Sequence, residues 1–151
     1  MTRRELFALL AAAAVLPAGC DGEAIPAVAF GHDACDWCRM TISDRRHAAV
    51  ARTAGGRTVR FDAIECLAAW TAAQSDAPRG AWVTARGASA PMLAVAEARF
   101  VRDANAGTPM AGGWVALATG SALDGVRWDA VLAAVRRDGL APTGLPASGV
   151  P

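Results

Sequence analysis

The chain contains no tyrosine and no lysine. All 15 of its basic residues are arginine. With 14 acidic residues its formal net charge is only +1, and the arginines form no basic stripe along the sequence. A chain without such a stripe lacks the electrostatic signature of nucleic-acid binding. Hydrophobic residues make up 54% of it although aromatic residues are only 6%, which suits one domain with a modest core.

The sequence also lacks an N-terminal apolar run of the roughly 20 residues that span a membrane. Residues 6–16 form a run about half that long, directly after the basic pair Arg3-Arg4. This arrangement indicates an export signal over residues 1–19 rather than an anchor helix. The twin arginines resemble a Tat-type signal, with Sec export as the alternative.

The export signal ends in a sequence that resembles the lipobox of bacterial lipoproteins, Leu16-Pro17-Ala18-Gly19-Cys20. In that motif the cysteine becomes the first residue of the mature protein and carries the lipid. The resemblance implies a lipid anchor at Cys20 on a membrane facing the periplasm. Asp21 after it points to the inner membrane, and a soluble secreted protein is the alternative.

Cysteine and histidine are scarce, with four and two residues. If Cys20 carries a lipid, an odd number of thiols remains, so at least one is free or binds a ligand. The motif Cys35-Asp36-Trp37-Cys38-Arg39-Met40 places two thiols beside a thioether. Soft sulfur ligands select Cu(I), with Zn(II) competing for the thiolates, and the thioether favours copper. Cys66 is expected to be a small hydrophobe of the core, and a Cys35–Cys38 disulfide is a further alternative.

Short strands and two helices are predicted in the mature chain. Strands are expected at residues 39–42, 48–53, 57–61, 82–86, 98–101 and 114–119, with Gly55-Gly56 as a hairpin turn. Asp62 is predicted to cap a helix that runs to residue 74, in a capping box with Glu65. Asp62 is secondarily a candidate for tuning a nearby ligand. Asp129 is predicted to cap a last helix over residues 130–137.

Two stretches of the sequence echo each other, Arg60-Phe61-Asp62-Ala63-Ile64 and Arg127-Trp128-Asp129-Ala130-Val131. Each opens a predicted helix, which indicates two related strand–strand–helix units. We therefore expect an α+β fold, an antiparallel sheet with helices on one side. The predicted organisation is a signal peptide (1–19), a lipidated flexible tether (20–33), a metal-binding domain (34–138) and a disordered tail (139–151).

Three motifs together resemble the NosL family over roughly residues 34–137: Cys38-Arg39-Met40, Phe61-Asp62 and Thr108-Pro109-Met110-Ala111-Gly112-Gly113. That family consists of copper-binding lipoproteins that serve the maturation of nitrous oxide reductase. Its pattern is Cys-x-x-Cys-Gly-Met near the start and Thr-Pro-Met-Gly later. Arg39 and Ala111 therefore stand where the family has glycine.

The resemblance implies that Cys38 and Met40 bind Cu(I), with Cys35 and Met110 as further ligands. On a strand, Cys38 and Met40 would point to the same side. The implied function is that of a metallochaperone rather than an enzyme. It would take copper from a donor that the sequence does not identify and pass it to an apo-cuproenzyme or its assembly factors.

Other ligands and functions stay open. His32 and His47 are possible third ligands, although His47 is more simply a solvated turn residue and His32 a tether residue. The Cys35-x-x-Cys38 spacing suits a thiol–disulfide oxidoreductase, but the sequence after it predicts a strand rather than an activating helix. A structural zinc site would need four ligands drawn from scattered residues. Chemistry like that of organomercurial lyases needs an acid, and none stands out beside the sulfurs.

Overall fold

A computed structural model describes residues 23–87 and 92–140 of the chain. Along this part of the chain the elements are β1 (Ala49–Arg52), β2 (Thr58–Phe61), α1 (Ile64–Ala73), β3 (Gly80–Val83), β4 (Leu93–Ala94), β5 (Arg99–Arg102), β6 (Trp114–Leu117) and α2 (Trp128–Asp138). The predicted signal peptide, the lipidated Cys20 and the tail beyond Leu140 lie outside the described residues. Neither helix is long and apolar enough to cross a membrane.

The strands form two antiparallel sheets. One has four strands in the order β2-β1-β3-β4, and the other is the hairpin β5-β6. Ala49 of the central strand β1 lies opposite Phe61 on one side and Val83 on the other. A parallel bridge between Ala85 and Ala116 connects the two sheets. The fold is α+β with antiparallel sheets, as the sequence predicts.

Each of the two main hairpins leads into a helix, β1-β2 into α1 and β5-β6 into α2, and the helices pack against each other. Helix α1 is buried continuously from Ile64 to Trp70, because it packs against α2 and against strands of both sheets. Helix α2 is amphipathic and buries the three residues that the sequence predicts, Val131, Ala134 and Val135.

The two predicted helix caps are wrong. The N-cap of α1 is Ala63 and that of α2 is Arg127, and neither provides a side-chain cap. Asp62 and Glu65 form no capping box, because both carboxylates are buried and accept hydrogen bonds from residues at least 24 positions away. Tertiary contacts have therefore displaced the local pairing that the sequence suggests.

Residues 39–42, predicted as a strand, follow a turn over residues 36–38 and form only a single bridge, between Thr41 and Ala34. The chain folds back because Cys35 N donates to Met40 O at 2.8 Å and Arg39 N donates to Cys35 O at 3.0 Å. Cys38 and Met40 consequently do not alternate along a strand. The Cys38 residue is 3% exposed, whereas Met40 is 52% exposed.

Residues 23–33 of the predicted tether contain no helix or strand but lie against the domain. Glu23 pairs with Arg52 at 2.8 Å, and the Nε of Arg60 donates to Ala27 O at 2.7 Å. Val28 and Phe30 pack on the core. The chain that leads into the cysteine motif is thus held against β1 and β2.

Candidate metal centre

Three cysteines and one aspartate converge inside the domain: Cys35, Cys38, Asp62 and Cys66. One ligand atom from each lies within 4.8 Å of all the others. None of the four residues is more than 3% exposed. No disulfide joins any of the three cysteines, so all three sulfurs can serve as ligands.

Three segments bring these groups together. The turn over residues 35–38 supplies two sulfurs, Asp62 lies between β2 and α1, and Cys66 lies in the first turn of α1. A two-way link holds the turn against β2, since Asp36 N donates to Arg60 O and Arg60 N donates to Asp36 Oδ2, both at 2.8 Å. The end of β2 therefore fixes the cysteine turn beside the start of α1.

Cys35 is the sulfur best prepared to be a thiolate. A hydrogen bond from the Cys66 thiol is the main cause that lowers the pKa of Cys35 from 9.0 to about 7. Burial opposes this shift, while backbone N–H donors of Cys38, Asp62 and Trp37 add to it. Amides directed at a sulfur stabilise its negative charge, and the thiolate is the form that binds metals.

The other two thiols are held in their neutral form. Burial raises the pKa of Cys38 to about 12, and the charge of the nearby Cys35 adds to the shift. The pKa of Cys66 is also raised, first because its thiol donates to Cys35 and second by burial. The metal-free centre thus holds one thiolate and two thiols near pH 8, and a metal that binds all three sulfurs must displace two protons.

Asp62 brings a carboxylate into the centre. The Sγ of Cys38 donates to Asp62 Oδ2 at 3.3 Å, while the buried Oδ1 has no hydrogen-bond partner in the described part of the chain. A buried oxygen in this state costs roughly 1–3 kcal/mol, and a cation bound beside it would remove that cost. The donor set therefore fits a metal ion.

The four predicted ligands lie in different surroundings. Cys35 and Cys38 belong to the cluster, as the motif predicts. Met40 is at the surface and contacts the centre through its backbone, which accepts from Cys35 N and donates to the Cys38 sulfur. Met110 is half-buried and packs against the core. Coordination by the two thioethers stays a prediction.

Neither histidine belongs to the cluster. His32 is exposed in the segment before the motif. His47 was expected to be solvated, and this is wrong because it is only 7% exposed. It directly follows Arg45 and Arg46, and its Nε2 lies 3.9 Å from Asp44 Oδ2.

The sequence analysis left two members out of the ligand set. Cys66 is fully buried, as expected for a core residue, but its burial places it beside the other sulfurs. Asp62 is a neighbour of Cys38, in line with the secondary role considered for it. Asp62 precedes α1 and its extended N-cap Ala63, so its four-residue spacing from Cys66 is not a helical one and no local pattern relates the two residues.

A second buried carboxylate, Glu65, ties α1 to the loop that carries Met110. Its Oε1 accepts from Thr108 Oγ1 at 3.0 Å and from Trp114 N at 3.1 Å. Gly112 leaves room for it, since a Cβ there would lie 2.5 Å from Glu65 Cγ and Oε1. The late Thr-Pro-Met motif is therefore attached to the helix that holds Cys66.

Arg39 and Ala111 are the two non-glycine residues with positive φ in the described chain, at 66° and 55°. They occupy the two positions at which the NosL pattern has glycine. Left-handed backbone costs a residue with a Cβ about 1–2 kcal/mol and costs glycine little. The backbone thus keeps a conformation that favours glycine at both positions.

Comparisons of the chain with protein-family models, with curated proteins and with solved structures give no match. The described residues nonetheless contain a buried group of three cysteines and one aspartate that could hold a metal ion.

Proposed function

We propose that this protein is a copper carrier of the cell envelope, anchored by a lipid on Cys20 and facing the periplasm. It holds Cu(I) on the thiolates of Cys35, Cys38 and Cys66 and passes it to an apo-cuproenzyme, such as nitrous oxide reductase, or to its assembly factors. The observation that carries the proposal is the convergence of three thiols, none of them in a disulfide, in one buried centre. Thiolates are the ligands that select Cu(I).

Zinc is the principal competitor, because Asp62 could complete a tetrahedral set with the three sulfurs. The two ions use Asp62 differently. Zn(II) would take its carboxylate as a ligand, whereas Cu(I) prefers sulfur alone and would leave the carboxylate uncoordinated. Substitution of Asp62 should therefore lower the affinity for Zn(II) more than the affinity for Cu(I).

The resemblance to the NosL family supports copper. Left-handed backbone at Arg39 and Ala111, the two glycine positions of the family pattern, agrees with that resemblance. The link from Glu65 to Thr108 also relates the late motif to the cysteine centre. The backbone conformation and the hydrogen bond are structural features, and neither was part of the sequence motif on which the resemblance is based.

A carrier must release its ion, and the cysteine turn suits this requirement. Two backbone hydrogen bonds, from Cys35 to Met40 and from Arg39 to Cys35, close the turn. Met40 projects to the surface from the same turn. A recipient that displaces this turn would reach Cys38 and exchange ligands stepwise, as thiolate sites allow.

The alternative of a thiol–disulfide oxidoreductase lacks its activating element. The Cys35-x-x-Cys38 motif lies in a turn, not at a helix N-terminus. Catalytic reduction of insulin that depends on both residues would favour that function instead.

Competition with a chromogenic Cu(I) chelator under anaerobic conditions tests the proposal on the full chain in detergent. We expect one Cu(I) per chain, and an affinity at least roughly tenfold lower for Cys35→Ser, Cys38→Ser and Cys66→Ser, because each removes a soft ligand. Ala68→Ser, a buried change on the same helix, is the matched control and should bind normally. Asp62→Asn should weaken Zn(II) binding much more than Cu(I) binding; the reverse result would contradict the copper proposal.

One observation favours a second function. Asp62 places a carboxylate beside the sulfurs, where organomercurial cleavage needs a group that can pass on a proton. In that reaction a thiolate binds the mercury of an alkylmercury cation and a proton from the centre is transferred to carbon. The carbon–mercury bond then breaks and Hg(II) stays on the thiolates. Release of methane from methylmercury in the presence of excess thiol would establish this activity, and its absence would exclude it.

A further inference from the structure

A cavity of about 240 Å³ lies away from the metal centre, between the turn before β1, the segment after β3 and the hairpin β5-β6. Arg45, Arg46 and Arg86 line it together with His47, and no acidic residue is among the described residues of its wall. It shares no lining residue with the cysteine centre. We propose that this cavity binds a small organic carboxylate.

Two of the arginines are held in place by carboxylates that do not line the cavity. Arg46 binds Asp44 through Nε at 3.0 Å and through Nη2 at 2.6 Å. Arg86 pairs with Asp103 through Nη2. A guanidinium has five N–H donors, so each arginine keeps donors for a ligand while its partner fixes its orientation.

The third arginine supplies the charge. Arg45 has no ion pair in the described part of the chain, and its Cζ stacks 4.2 Å from the centroid of the Phe30 ring. The pairs Arg46–Asp44 and Arg86–Asp103 are each neutral overall, so the unbalanced positive charge is that of Arg45, which lines the cavity while its guanidinium stacks on Phe30 outside the wall. A monoanion matches that balance.

His47 adds a group that needs a partner. It is 7% exposed, and its Nε2 is buried without a hydrogen-bond partner among the described residues. Asp44 Oδ2 is 3.9 Å from that nitrogen, too far for a hydrogen bond. Because His47 is part of the cavity wall, a ligand oxygen that the ring turns to meet would satisfy this nitrogen.

The remaining wall determines the body of the ligand. Ala85, Ala106 and Val115 give the cavity small apolar surfaces. Inorganic phosphate would leave these surfaces without contact, whereas a carboxylate on a compact hydrocarbon group would cover them. Ligand sites in proteins commonly combine such apolar walls with a few directed polar groups.

Isothermal titration of the full, metal-free chain in detergent with benzoate tests this proposal. Benzamide, which has the same shape without the charge, is the matched ligand. We expect saturable binding of benzoate that is roughly tenfold weaker for benzamide and for Arg45→Gln, because a charge-assisted contact is lost. Arg137→Gln, an exposed change on α2, should bind benzoate normally.

His47→Phe is the second variant, since it removes Nε2 and keeps an apolar ring in the buried position. Thermal unfolding with and without benzoate would confirm that it folds, and we expect benzoate to stabilise the unsubstituted chain but not this variant. The proposal is overturned if benzamide binds as well as benzoate, if phosphate binds more tightly, or if Arg137→Gln weakens binding as much as Arg45→Gln. Cu(I) affinity should be the same with and without benzoate, so this result is separate from the fate of the copper proposal.

Discussion

At the scale of single residues, the three thiols of the metal centre have become chemically different. Cys35 has a pKa near 7 because Cys66 and three backbone amides donate to its sulfur. Cys38 has a pKa near 12 because it is buried beside that charge. An incoming soft cation would meet a thiolate first at Cys35, and binding to the other two sulfurs would follow as their protons leave.

This difference predicts how the stability of the reduced, metal-free protein changes with pH. Between pH 7 and 9 the free energy of unfolding should rise by on the order of 1 kcal/mol, because folded Cys35 ionises before unfolded Cys35 does, while ionisation of unfolded Cys38 and Cys66 near pH 9 offsets part of the gain. Above pH 9 it should fall, because unfolded Cys38 and Cys66 ionise while the folded thiols stay protonated. Urea unfolding at several pH values, under anaerobic conditions, measures both effects. A rise of the same size in Cys35→Ser would contradict this explanation.

A second prediction concerns the left-handed backbone at Ala111. Ala111→Gly should raise the free energy of unfolding by about 0.5–1 kcal/mol, because relief of the Cβ strain exceeds the entropy cost of glycine. Ala118→Gly, an exposed site without positive φ, should instead lower it by a similar amount. Denaturant unfolding of both variants tests the sign. Destabilisation by Ala111→Gly would show that no strain is stored there.

The sequence identified Cys35 and Cys38 because their spacing alone carries the signal. It did not identify Asp62 and Cys66 as members of the centre, because each has an ordinary local explanation. Asp62 precedes a helix and reads as a cap, and Cys66 lies on a buried helix and reads as core. Only the approach of the cysteine turn to the start of α1, a tertiary contact, gives the two residues a shared role.

At the scale of elements, helix α1 connects the cysteine cluster to the loop before β6. Its first turn contributes Cys66 to the metal centre and Glu65 to the loop before β6. Both residues are almost completely buried. A movement of the loop would therefore also move the first turn of α1, which holds Cys66. The Thr108–Gly113 loop is therefore a support of the centre even if Met110 is not a ligand.

Substitution of Gly112 tests whether the loop must lie this close to Glu65. Gly112→Ala should lower the free energy of unfolding by roughly 1–3 kcal/mol, because its Cβ would lie 2.5 Å from the Glu65 side chain in a packed interior. Gly55→Ala, where the nearest atom is 3.9 Å away, is the matched control and should change stability little. Urea unfolding compares the two variants. Equal effects would mean that Glu65 does not require the close approach.

Most elements could be predicted from the sequence, because hydrophobic alternation and turn glycines are local signals. The hairpin at Gly55-Gly56 and the buried face of α2 are confirmed. The error at residues 39–42 arose because apolar and β-branched residues there read as a strand. The two backbone hydrogen bonds that close the turn at Cys35 cannot be predicted from the pattern of apolar residues.

At the scale of the whole molecule, the α+β fold places a buried group of three cysteines and one aspartate, which could hold a metal ion, between the cysteine turn and the first helix. A separate cavity lined by arginines lies elsewhere. The segment from Glu23 onward lies along the sheet. In a lipid-anchored protein, that arrangement would hold the domain close to the anchor. We expect the protein purified from its own cell envelope to begin at Cys20 and to carry acyl groups. Intact mass spectrometry measures this directly, and a mature protein that begins elsewhere without lipid would contradict the anchor.

X-ray absorption at the copper edge, on the full chain loaded anaerobically with Cu(I), tests the central claim most directly. We expect the copper to have only sulfur neighbours, the three thiolates of Cys35, Cys38 and Cys66, and to lose one of them in Cys66→Ser. An oxygen or nitrogen shell, or a sulfur shell unchanged by that substitution, would contradict the claim that these three thiols hold the ion.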